Sequence, residues 1–148
     1  MYIKHRYRKR SGRIEILLIT SRKKKHWILP KGGIPRGMLP QNAAAREAMQ
    51  EGGVIGEVHR DAIADMIVRK RNGSGLSTSF RLLIFPLMVT TELAYWPEGH
   101  FRERTWVSAE KAGSTITDRE IGAVVVRFAK AAMEDDVGAG QGRYPLGI

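Results

Sequence analysis

Apolar and polar positions change their period several times along this chain, and the changes mark out strands and two main helices. Arg13–Thr20 is β-branched and apolar enough to be a strand, and the charged run Lys23-Lys24-Lys25-His26 reads as a loop before a short strand at Trp27–Leu29. Val54–Arg69 alternates loosely and predicts one or two strands, followed by a tight hairpin turn at Asn72-Gly73-Ser74-Gly75. Phe80–Thr91 has the apolar content of a long central strand, in which Pro86 predicts a bulge or an edge. Trp106-Val107 ends another strand, and Ser108 caps a short helical turn.

Helical spacing takes over twice. Asn42 is the predicted N-cap of the first helix, after Pro40; three alanines follow, and Gly52-Gly53 give the stop signal after about ten residues. Thr117-Asp118-Arg119-Glu120 reads as a capping box that opens a second helix running to about Asp135, with Ile121, Val124, Val125, Phe128 and Met133 on its packed face. Residues 138–148 show no periodicity and are expected to form a mobile tail. Mixed strands with two main helices predict an α+β fold, one helix carrying chemistry and the other covering the opposite face of the sheet. We expect a single domain over residues 1–137, preceded at its start by a basic lead.

Composition adds bounds. A chain of 148 residues that is 43% apolar can bury a real core as one domain. No apolar run reaches the roughly 18 residues of a membrane span, and no signal-peptide apolar region precedes the first charges, so a soluble cytoplasmic protein is the expectation. Cysteine is absent, which excludes disulfides and thiolate chemistry. The histidines at 5, 26, 59 and 100 show no metal-ligand spacing. Charge is uneven: residues 1–36 carry twelve Lys and Arg against the single acid Glu15, a net +11 that leaves −1 for the rest of the chain. Such a field concentrates polyanions, a class that includes inositol polyphosphates, dinucleoside polyphosphates and RNA 5′ ends.

The chemistry concentrates in the first helix. Glu47 and Glu51 stand four residues apart and so share one helix face, with Gln50 beside them. Like charges at that spacing cost a few tenths of a kcal/mol in an isolated helix. A hard divalent cation turns the repulsion into a binding site, because Mg²⁺ is held by one or two carboxylates, waters and phosphate oxygens.

The run from Gly32 to Val54 resembles the Nudix box: Gly32, Arg46, Glu47, Ala48, Glu51, Gly53 and Val54 match, while Met38 and Gln50 stand where two further acids belong. The flanks are similar to the diphosphoinositol polyphosphate phosphohydrolase branch of that family, through Thr20-Ser21-Arg22, Trp27-Ile28-Leu29-Pro30-Lys31-Gly32-Gly33, Glu92–Glu98 and Arg102-Glu103-Arg104-Thr105-Trp106. The resemblance implies an α/β/α sandwich around a mixed sheet and metal-dependent cleavage of a phosphoanhydride by water. Carried onto this chain, it implies a metal site of Glu47, Glu51 and the Gly32 carbonyl for Mg²⁺ or Mn²⁺, with Arg46 orienting a glutamate and Gln50 in the catalytic group. It implies substrate contacts from Ser21, Arg22, Arg81, Arg102 and Arg104; Lys31, which replaces a third glycine, is placed to reach a phosphate directly, and Gly33 allows close backbone approach to one.

Gln50 can ligate a metal but brings no charge and no general base. Three outcomes follow: a two-glutamate enzyme, a site completed by Glu98 or Glu103, or a silent module that binds polyphosphate or RNA. Removal of pyrophosphate from RNA 5′ ends is the rival reaction. Trp27, Tyr95 and Trp96 offer stacking surfaces, with packing the favoured role. The partner set is a phosphorylated small molecule, with RNA as a second candidate, no membrane, and a monomer or homodimer.

Overall fold

The computed structural model describes residues 2–10, 13–23, 25–71 and 73–139. Among them the order is β1 (Tyr2–Arg10), β2 (Arg13–Thr20), β3 (Trp27–Ile28), β4 (Lys31–Gly32), α1 (Pro40–Gly52), β5 (Val54–Val58), β6 (Ala64–Arg71), β7 (Ser77–Glu92), β8 (Arg104–Ser108), α2 (Ala109–Thr115) and α3 (Arg119–Ala139). The strands form one mixed sheet in the order β3-β2-β1-β7-β5, with β4 added to β1, β6 to β7 and β8 to β2. Only the β1–β7 pair is parallel among these ladders.

The pleat sorts side chains between two layers of helix. On β2, Ile14, Ile16 and Leu18 join α2 and α3 in the main core, whereas Leu17 packs with Ala48 of α1. On β7, Leu82 and Ile84 face α3, while Phe85 and Leu87 meet Ala43, Ala44 and Ala48 of α1. Both faces of these strands are covered, which explains their nearly continuous apolar runs. The result is the expected α+β sandwich.

The structure differs from the sequence reading at several elements. The basic lead is itself strand β1, whose backbone lies between β2 and β7. Backbone pairing is indifferent to side-chain charge, so five Lys and Arg residues hid it. Pro86 sits at neither edge nor bulge. Ile84 and Pro86 turn their carbonyls toward the β5–β6 connection, accepting from Ile63 N–H at 2.8 Å and His59 N–H at 2.9 Å. The missing proline N–H therefore faces the gap between the β5 pairing that ends at Leu87 and the β6 pairing that starts at Ile84, and no ladder bond is lost. The register shift lies instead at Ile55/Gly56.

α1 opens at Pro40, two residues before the predicted Asn42 cap. Leu39 occupies the N-cap and makes no side-chain cap hydrogen bond. Proline suits the first position because its absent N–H would have lacked a partner there. The cap of α3 is Asp118, whose Oδ1 accepts from the N–H groups of Glu120 and Ile121 at 3.0 and 3.2 Å. That helix continues through Ala139, beyond the expected end and the expected boundary at 137. Of the predicted tail, 140–148 lie outside the described residues, as does Asn72 of the predicted turn. No helix among the described residues is long and apolar enough to cross a membrane.

Candidate active site

Helix α1 lies close on the sheet because the face it buries is made of Ala43, Ala44 and Ala48. Its other buried side chain is a carboxylate: Glu51 is only 6% exposed. The Lys31 N–H donates to Glu51 Oε2 at 3.1 Å, and the Glu47 and Glu51 carboxyls are hydrogen-bonded to one another. Burial pushes Glu51 up to about 7, and Glu47 adds to the rise; Arg102 and the Lys31 amide oppose it. Gly32 completes this corner. A Cβ there would lie 2.5 Å from the Glu47 carboxyl carbon, so the bare glycine leaves that carboxyl its place against β4.

The far end of α1 is gripped from outside. The last carbonyls of a helix lack intrahelical donors. Here Gln50 O accepts from Glu98 N–H at 3.1 Å, Glu51 O from Trp96 Nε1 at 3.1 Å, and Gly52 O and Gly53 O from Arg104 Nη1 at 3.1 and 3.2 Å. Arg104 Nη2 also donates to Leu93 O at 2.6 Å, and its guanidinium lies 4.0 Å above the Trp96 ring. Gly53 has φ 62°, and a Cβ on it would meet Arg104 and Trp96 at 2.6 and 2.7 Å. Glycine is required there both by its backbone conformation and by space.

A buried arginine braces the wall facing the carboxylates and acts on Glu51 through its charge. Arg102 donates from Nε to Glu98 Oε1 at 2.9 Å and from Nη1 to Thr20 O at 2.8 Å. Arg22 is exposed, stands 3.9 Å from the same Glu98 oxygen and lies over Phe101. Ser21 closes the β2–β3 turn, its hydroxyl accepting from His26 N–H at 2.9 Å.

The sequence candidates thus divide by placement. Glu47, Glu51, Gly32, Lys31 and Arg102 come together; Arg22 stands at the rim, and Gly33 faces open space. Arg104 is occupied by helix carbonyls. Arg81 forks onto Asp65 at 2.8 and 2.7 Å on the exposed β6–β7 hairpin. Arg46 is exposed, and no ion pair joins it to a glutamate among the described residues. Gln50 is half-buried beside the pair, and Met38 packs on Ala43, Ala44 and Phe85. Trp27 packs against the main core, Trp96 lies under Arg104, and Tyr95 is 93% exposed.

Sequence reasoning missed Thr20, whose carbonyl fixes Arg102, and Lys70, which lines a cavity with Lys31. Period-two alternation along β6 is the signal that could have found Lys70. Two touching carboxylates beside a glycine backbone offer oxygen donors only, a set that fits Mg²⁺ or Mn²⁺. Neither outside carboxylate joins them. Glu98 is committed to Arg102 and Glu103 is exposed, and no cluster of three metal-ligating side chains forms among the described residues.

The chain resembles known proteins in sequence and in fold. The chain is 35% identical over 109 residues to Arabidopsis thaliana Nudix hydrolase 17, mitochondrial, covering 73% of this chain and 57% of that protein. It is 35% identical over 112 residues to Nudix hydrolase 21, chloroplastic, of the same plant, covering 74% and 54%. The chain thus spans little more than half the length of these curated relatives. The fold is similar to a binary complex of a C. elegans Ap4A hydrolase, with TM-score 0.63, 24% identity and coverage of 95% of this chain and 97% of that one. It is also similar to E. coli dihydroneopterin triphosphate pyrophosphohydrolase, with TM-score 0.68, 15% identity and coverage of 87% and 93%. Residues 7–127 match the family model described as NUDIX domain, and the chain belongs to that family.

Proposed function

We propose that this chain is a Mg²⁺- or Mn²⁺-dependent pyrophosphohydrolase that cleaves a phosphoanhydride bond in a highly phosphorylated small molecule, by attack of water on phosphorus. The observation that carries the reading is the pair of touching carboxylates, Glu47 and the buried Glu51, set against Gly32. A stable fold has no physical use for two stacked acids, one of them desolvated, unless something positive meets them. When bound, the cation supplies charge neutralisation on phosphate oxygens and a lowered water pKa.

The chain's own residues do the rest. The Lys31 amide holds the Glu51 carboxylate against β4, and the nearby charge of Arg102 favours its ionised form, the form that would hold a cation. Arg102, fixed by Glu98 and the Thr20 carbonyl, adds positive charge beside Glu51, and the exposed Arg22 draws the polyanion to the rim. Gly33 leaves room for the phosphate chain. The +11 charge of residues 1–36 supports a substrate such as a diphosphoinositol polyphosphate or a dinucleoside polyphosphate.

Gln50 and Met38, in place of acids, favour a second reading: a silent module that binds polyphosphate or RNA. Phosphate and nucleotide release from both substrate classes with Mg²⁺ or Mn²⁺ separates the two, alongside Glu51→Gln and Gln50→Glu. Turnover that Glu51→Gln abolishes supports the hydrolase; turnover gained only in Gln50→Glu supports the module.

A further inference from the structure

A cavity of about 480 Å³ opens on the α3 side of the sheet, next to the carboxylate pair, and its chemistry differs from that of the pair. It lies between β4, the β6–β7 hairpin and the α2–α3 connection. Its floor is apolar, including Val68, Phe80, Leu82 and Ile121, and its rim carries Lys31, Arg69 and Lys70. The one acid in the lining, Asp118, is engaged in capping α3. The rim is therefore a concentration of positive charge over a low-dielectric floor, where an anion is held more strongly than in water.

Two of these cations converge from different strands. Gly32 turns its Cβ direction toward Glu47, so the alternation of β4 sends Lys31 to the opposite face. On β6, Lys70 shares a face with Met66 and Val68, both packed against the α3-side core. The two side chains come within hydrogen-bonding reach of each other. Two ammonium groups brought together repel; an anion between them reverses the sign of that interaction. Lys31 also bonds Glu51 through its backbone, so whatever its ammonium grips lies one side-chain length from the carboxylate pair.

We propose that Lys31 and Lys70 form a seat for a non-scissile phosphate of the substrate, so that the site favours phosphate chains longer than a single anhydride. The inference rests on the pyrophosphohydrolase reading for the position of the cleaved bond and assigns Lys70 a role in specificity. Phosphates beyond the reacting pair bend round β4 into the rim of the cavity, and each added charge-assisted contact raises affinity by about tenfold.

The test is calorimetric binding of inorganic pyrophosphate, tripolyphosphate and tetrapolyphosphate with Mg²⁺ present, to the full chain and to Lys70→Ala, Lys70→Arg and Arg71→Ala. Arg71 ends β6 outside the cavity lining and removes the same charge as a control. The expected result is about tenfold tighter binding of tripolyphosphate than of pyrophosphate, a preference lost in Lys70→Ala, kept in Arg71→Ala and partly restored in Lys70→Arg. Equal loss in Lys70→Ala and Arg71→Ala would show a diffuse field and overturn the seat, as would a chain-length preference untouched by Lys70→Ala. Unchanged Mn²⁺ affinity in Lys70→Ala checks that the carboxylate pair is intact. Lys70-dependent binding in a chain that shows no turnover would remove the hydrolase reading and leave the seat standing; turnover without Lys70 dependence would do the reverse.

Discussion

Helices α1 and α3 cover opposite faces of one sheet and are stabilised in opposite ways. α3 is capped by Asp118, has Glu120 in its first turn, and buries Ile121, Val124, Val125, Phe128 and Ala132. α1 has no side-chain cap, no acid in its first turn, and buries alanines together with the carboxyl of Glu51. A helix like α3 is held by its own side chains. A helix like α1 is held by its surroundings, through the donors of Trp96, Glu98 and Arg104 on its last carbonyls. Stability surrendered at the carboxylates is supplied by the 93–104 segment, so the two helices should respond differently to mutation.

The widest separation is expected between Glu51→Gln and Phe128→Ala. Glu51→Gln should lower turnover by about 10³-fold, the size expected when a group holding a reactive cation is removed, while leaving the melting temperature at pH 8 equal or higher. Phe128→Ala should cost about 3–5 kcal/mol of stability by opening a cavity in the main core, with the activity of each folded molecule nearly unchanged. Urea unfolding and phosphate release on both variants measure this. A Glu51→Gln protein that unfolds more easily than the parent at pH 8 would make that carboxylate a structural support and end the contrast.

The next effect is pH dependence. Glu51 stands at about 7 in the folded chain against a reference of 4.5, so the folded state holds a proton that the unfolded state has released between those values. Stability should therefore fall as pH rises through that window, by roughly 3 kcal/mol in total, and then level off. Unfolding in EDTA from pH 4.5 to 8 should show this decline, and Glu51→Gln should flatten it. Saturating Mg²⁺ should shrink the decline, because a cation bound to the folded state offsets the cost of the second charge.

The same contrast explains what could be read from the sequence. The apolar stripe of α3 was plain because its side chains do the packing, and the stop of α1 was plain because Gly53 must adopt a left-handed backbone. Glu47 and Glu51 were legible from spacing alone. The buttress was not: Arg104 reads as a phosphate ligand in a motif, yet its guanidinium meets carbonyls 51 and 52 residues earlier in the chain. Sequence spacing carries no information about such partners. Strand β1 was hidden for a related reason, since its place depends on backbone pairing with β7, some eighty residues away. Lys70 becomes a neighbour of Lys31 only once β4 and β6 are seen to turn them toward one face.

The smallest effect tests the N-termini. Asp118→Ala removes two accepted hydrogen bonds from α3 and should cost about 1 kcal/mol, which shifts the melting temperature by about 3 °C in a domain of this size. Leu39→Ser does the converse on α1. Leu39 is 56% exposed with an extended backbone, so little packing is lost, and a serine hydroxyl there can accept from the Gln41 or Asn42 N–H of the first turn. It should stabilise the chain by up to about 1 kcal/mol. Because the carboxylates sit about two and three helical turns beyond the cap, a stiffer N-terminus should also leave turnover unchanged. A gain in stability accompanied by lost activity would mean that fraying at Leu39 serves the reaction, and that α1 is weakly capped for function as well as weakly packed.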